Sequence, residues 1–127
     1  MYNKKKSKNI LVFGLAIFMS IFARRLKEAR KNTDLSQERL GVLAGIDEMS
    51  ASARMNQYER GKHEPEFTMV ERIAKILNVP EAYFYAKDDE LAWLLVTYHR
   101  LSLMGRNEIV EAAKRVVIQR GVSSTNG

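Results

Sequence analysis

The sequence predicts an all-α fold, a five-helix domain followed by two additional C-terminal helices. Apolar residues recur at three- and four-residue spacing along most of the chain, and no stretch alternates as a half-buried strand would. Most of these periodic segments are bracketed by capping and terminating residues. The composition, 46% hydrophobic and 28% charged over 127 residues, belongs to a globular chain rather than a disordered one.

The first segment, MYNKKKSKNILVFGLAIFMSIFA, joins a basic start to an apolar run from Ile10 to Phe22. Its outline is that of a signal peptide, but a cut after Ala23 would put bulky Ile21 where a small residue is needed. The run is also shorter than the roughly 20 residues of a membrane span. Arg24, Arg25, Lys27, Arg30 and Lys31 make its far flank as basic as its near one, so orientation in a membrane is ambiguous. Helix one is expected from Ser20 to Lys31, with Ile21, Phe22, Leu26 and Ala29 facing inward and Arg24-Arg25-Lys27 as a solvated face, a binding surface being the alternative. A turn at Asn32–Asp34 ends it.

Ser36 is placed to cap helix two, Gln37 to Ala44, with Glu38 in the first turn where the helix dipole favours an acid. Gly45 suits the left-handed residue that closes it. The polar stretch Asp47-Glu48-Met49-Ser50 leads into helix three, which runs to about Arg60 before Gly61. Pro65 keeps the next loop extended. Thr68 is expected to cap helix four, whose Val70, Ile73, Ala74 and Leu77 share a face. Pro80 fits the first position of a short helix five reaching Tyr85. After a boundary at Lys87-Asp88-Asp89 come two amphipathic helices, Glu90 to Arg100 and Leu103 to Gln119, the second capped by Ser102. The chain thus divides into an extension (1–18), a domain (19–86), a helical tail (87–120) and a polar end (121–127) expected to be disordered.

Charge and chemistry narrow the function. Of 21 basic residues, Lys4, Lys5, Lys6 and Lys8 lie in the extension, leaving 17 against 15 acids. That excess alone does not argue for nucleic acid. The chain has no cysteine, which excludes disulfides, thiol chemistry and cysteine-ligated zinc. His63 and His99 are far apart and read as lone surface histidines. With no Gly-rich phosphate loop, nucleophile–base pair or metal spacing, no enzyme activity, cofactor or metal is expected.

The informative region is 35–61. LSQERLGVLAGI gives a capped helix ending in glycine, and SASARMNQYERG gives a second helix after a turn. Leu40, Leu43, Ile46, Met55 and Tyr58 fall where two crossing helices would bury them together. A DNA-binding helix-turn-helix has this form: its first helix braces across the backbone while its second enters the major groove.

From Phe22 to Phe84 the chain resembles the lambda-repressor/Cro-like helix-turn-helix family, also called the XRE family. The matching strings are RLKEAR, LSQERLGVLAGI, QYERGKHEP and IAKILNVP followed by Tyr83-Phe84. The resemblance implies a five-helix lambda-repressor-like domain and a repressor-like transcriptional regulator of double-stranded DNA, cytoplasmic and nucleoid-associated, with helix 50–60 in the major groove. Gln37 matches a position that commonly contacts a phosphate, where a helix N-terminus suits an anion. Ser52, Ala53 and Gln57 match outward positions near base edges; Gln can bond adenine twice, and Ala can offer a methyl to thymine. Arg54 and Asn56 are secondary candidates, and Arg60, Lys62 and Asn32 could steady the backbone. Arg30 and Glu59 match an internal salt bridge between helices one and three; solvated helix charges are the plainer alternative.

One departure stands out. Asp47-Glu48-Met49-Ser50 lengthens the connection by about four residues relative to typical members. Either the turn bulges, or the helix starts early with Ser50 as cap. Two acids near phosphate would repel DNA unless they point away.

In the tail, Leu91, Leu94, Leu95 and Tyr98 lie on one helical stripe, and Ile109, Ala112, Ala113, Val116 and Val117 on another. Trp93 adds to this apolar surface. A domain ending near Ala86 is already closed, so the extra pair suggests a homodimer interface, the alternative being helices folded back over their own domain. Two further readings stay open: a membrane-anchored regulator using residues 10–23, and an antitoxin or adaptor using the same fold to bind a protein. Met19 stands where chains of the family commonly begin, so residues 1–18 read as an over-extended start.

Overall fold

The computed structural model describes residues 21–121. The extension, the alternative start at Met19, most of the suggested anchor and the polar end from Val122 lie outside the described residues.

Among the described residues all regular structure is helical. Helix α1 spans residues 21–31, α2 Gln37–Leu43, α3 Glu48–Glu59 and α4 Phe67–Leu77. A 3₁₀ helix follows at Glu81–Tyr85, then α5 Asp89–Arg100 and α6 Leu103–Arg120. Phe22, Leu26, Leu40, Met55, Val70, Ile73 and Phe84 form one buried cluster. The rings of Phe22 and Phe84 sit 5.1 Å apart, which closes the domain by bringing the 3₁₀ segment back onto α1. Phe22 and Ala23, at the end of the suggested anchor, are both buried here. No helix among the described residues is long and apolar enough to cross a membrane.

Four local expectations need correction. Thr68 does not cap α4: Glu66 does, through its carbonyl, which accepts from the amides of Met69 and Val70. Pro65 is buried and leads into an extended Glu66, so the helix begins directly afterwards at Phe67. Pro80 precedes its helix as an extended cap, and the segment winds as 3₁₀, burying the consecutive Tyr83 and Phe84. Leu43 is 46% exposed, because the inward stripe of α2 runs through Leu40, Gly41 and Ala44, and Leu43 lies about 100° round from Ala44.

The fourth concerns Arg25, which is only 2% exposed rather than part of a solvated face. Its Nε donates to the Ala86 carbonyl at 2.9 Å and its Nη2 to that of Lys87 at 3.3 Å. The chain leaving the 3₁₀ helix crosses α1 here, and its carbonyls need a buried donor. Asp89 at 2.9 Å and Glu28 at 3.2 Å balance the charge. Burial works against the guanidinium, but these two carboxylates outweigh it and hold its pKa above the ordinary value. Glu28 also accepts from the Tyr83 hydroxyl at 3.1 Å; burial first, and the Glu28 charge second, push that phenol up to about 12.

Helix α5 is held at its other end as well. Arg100 donates to the carbonyls of Asn78 at 3.0 Å and Leu77 at 3.3 Å, satisfying the C-terminus of α4 where Asn78 turns left-handed. Ala92 is buried, and Leu95 and Val96 pack against the core. By contrast α6 buries no residue. It joins α5 through Arg106, which bonds the carbonyls of Tyr98 and His99 and lies over the Tyr98 ring.

Candidate nucleic-acid interface

The α2–α3 pair is fixed by small residues. Ser36 Oγ accepts from the Arg39 amide at 3.0 Å, starting α2, and Gly45 at φ +93° reverses the chain after it. The Ile46 amide then bonds the Gly41 carbonyl at 2.9 Å. A Cβ added to Gly41 would lie 2.9 Å from the Cβ of Ala51, which is fully buried. The two helices therefore cross with their backbones nearly touching, and only glycine fits at 41.

Helix α3 begins earlier than the expected 50–60. Asp47 is its cap, accepting from the Met49 amide at 3.1 Å, and Ser50 lies inside the helix. The additional residues form an added first turn instead of a bulge, because acids at an N-terminus satisfy its free amides and its dipole. Asp47 thereby turns its carboxylate back onto the helix. Glu48 projects about 140° round the helix from Ala53.

The outward surface of α3 carries several of the predicted residues. Ser52, Ala53 and Arg54 are exposed, and Asn56 and Gln57 are half-buried. Ala51, Met55, Tyr58 and Glu59 face the core. Gln37, at the start of α2, donates from Nε2 to Asn56 Oδ1 at 3.3 Å, so one hydrogen bond links the two helices on this side. Arg60 and Lys62 are exposed just beyond α3, and the amides of Lys62 and His63 both bond the Gln57 carbonyl. Asn32 is exposed after α1.

Arg30 and Glu59 meet inside this frame. Arg30 Nε and Nη2 bond the two Glu59 oxygens at 2.7 and 3.0 Å, and Nη1 donates to the Leu35 carbonyl at 3.1 Å. The Glu59 hydrogen bond raises the Arg30 pKa above its ordinary value. Both charges are spent on holding α1 to α3.

Sequence reasoning did not single out Met49, which is 92% exposed in the added turn, nor Arg72. Arg72 comes from α4, with Nη1 3.3 Å from where a Gly45 Cβ would be. With Arg54, Gln57 and His63 it lines an open groove of about 540 Å³ beside α3, to which Glu64 and Glu66 also contribute. Counting helical phase back from Ala53 would have found Met49; nothing local could have found Arg72, which sits on another helix. Among the described residues no acidic or histidine cluster could hold a metal ion.

A family model described as a helix-turn-helix domain matches residues 21–83. A solved structure titled as the transcriptional regulator BswR is similar, with 42% sequence identity and a TM-score of 0.73, covering 76% of this chain and 96% of that one. The likeness extends beyond the segment matched by the family model. No curated protein matches the chain.

Proposed function

This chain belongs to the helix-turn-helix domain family, and from that premise we propose that it is a repressor-like transcriptional regulator binding specific double-stranded DNA as a homodimer. The observation that carries the reading is the outward face of α3, whose Ser52, Ala53, Arg54, Asn56 and Gln57 lie outside the buried core, held in one orientation by the Gly41–Ala51 approach.

Entering the major groove, α3 sets Ser52, Ala53 and Gln57 toward base edges, with Arg54 and Asn56 beside them. Gln37 sits at the N-terminus of α2, where amides and dipole favour a phosphate. Its bond to Asn56 ties that backbone contact to the reading helix. Arg60 and Lys62 add positive charge on the far side, and each phosphate neutralised contributes to salt-dependent affinity. Occupying an operator in this way excludes other proteins from it.

The homodimer is supported by α6, which buries nothing in its own domain and leaves Ala113, Val116 and Val117 of its apolar stripe exposed. A second copy would cover this surface about a two-fold axis. Site selection from random duplex DNA tests the whole reading. An inverted repeat with half-sites about one helical turn apart is expected; a protein that enriches no sequence is not a sequence-specific regulator.

A further inference from the structure

Building on the DNA-binding role just proposed, we infer that Met49 is a specificity-determining residue that reads the methyl group of a thymine in the major groove. Met49 is 92% exposed, so this flexible apolar side chain has no packing partner among the described residues. It occurs in the added turn of α3, on the helix whose outer face is the candidate interface.

Helical phase decides which way it points. At 100° per residue, Met49 lies about 40° from Ala53 and about 80° from Gln57, within the arc those residues span with Asn56. It lies only about 20° from Asn56, the residue bonded to Gln37 at 3.3 Å, which is the side turned toward the proposed phosphate contact. The buried residues Ala51, Met55 and Tyr58 occupy the opposite side. The two neighbouring acids do not block the approach. Asp47 is engaged with the Met49 amide, and Glu48 projects to the flank.

The chemistry narrows the target. A thioether has no strong donor or acceptor, so it cannot select among the hydrogen-bonding groups that distinguish base edges. The one apolar group displayed in the major groove of unmodified DNA is the thymine C5 methyl, and a polarisable, unbranched side chain adapts readily to it. Met49 and Gln57 are eight residues apart, about 12 Å along the helix. An axis lying along the groove therefore separates their contacts by about three to four base pairs.

The test uses the full chain and the site obtained by selection. Each thymine is replaced in turn by deoxyuridine, which removes only the methyl, and affinity is measured by fluorescence anisotropy for wild type and Met49→Ala. One position is expected where the loss weakens wild type about fourfold, the worth of one buried methyl, and leaves Met49→Ala unchanged. Equal losses in both proteins at every thymine overturn the assignment while leaving DNA binding intact. A wild-type protein with no affinity for any duplex overturns the DNA-binding role and this assignment together. Because Met49 is exposed, matching melting curves for the two proteins are expected and separate lost contact from lost fold.

Discussion

Glu59 leaves only 2% of its side chain exposed and Arg30 14%, so each depends on the other to replace lost hydration. Removing one partner strands a buried charge, at a cost of about 3–5 kcal/mol in the fully buried limit. Arg30→Met and Glu59→Gln should each lower the melting temperature, and the double variant should lose less than their sum. Tyr83 gives a second stability test. Its folded pKa of about 12 exceeds the ordinary 10.0, so above pH 10 the unfolded chain ionises while the folded one resists. The stabilisation is complete below pH 10 and is lost as pH rises through 12. Between pH 9 and 11 denaturant titrations should show wild type losing about 1 kcal/mol more than Tyr83→Phe. At the interface, Gln57→Ala should weaken the selected site by about 1–3 kcal/mol and relax one base position. Gln37→Ala should weaken all duplexes more evenly; competition binding with selected and random DNA separates the two.

Among elements, the α2–α3 crossing is the most constrained. Gly41→Ala would drive its methyl against Ala51 Cβ at 2.9 Å, and overpacking of this kind costs about 1–3 kcal/mol. Operator affinity should fall further than stability alone explains, since the reading helix must shift; denaturation and anisotropy on one preparation would separate these losses. Much of the element order was legible because its punctuation is local. Ser36 and Ser102 bond amides in their own first turns, and Gly45 and Gly61 adopt positive φ where helices end. The start of α3 was less legible because Asp47 and Ser50 are both competent caps, and the choice depends on how the added turn sits in three dimensions. Arg25 was misread for a related reason: its carbonyl partners lie 61 and 62 residues away, beyond any local pattern. At the candidate site, residue types and spacing pointed to α3 as the proposed reading helix, but they could not show which side chains the fold leaves exposed.

At the scale of the molecule, the tail divides into a part that belongs to the domain and a part that does not. Helix α5 contributes Ala92 to the core and both arginine contacts to its surroundings, whereas α6 buries nothing. Truncation after Leu101 should therefore spare the domain fold and remove the proposed pairing surface. Sedimentation of the full chain should give a dimer and the truncated chain a monomer with much weaker operator affinity. A full-length protein that stays monomeric at high micromolar concentration rules out the dimer.

The two arginines that grip α5 also bear on DNA geometry. Arg25 fastens its first residues to α1 and Arg100 fastens its last to α4, so the helix turns with the reading head as one piece. In the proposed pair, Arg106 carries that grip on to α6 through the carbonyls of Tyr98 and His99, so the distance between the two heads is set by folded protein. One extra base pair between half-sites shifts the second by about 3.4 Å and swings it by about 35° round the duplex axis. A yoke without a hinge cannot follow that swing, and the spacer of the operator becomes as much a part of its address as the bases themselves.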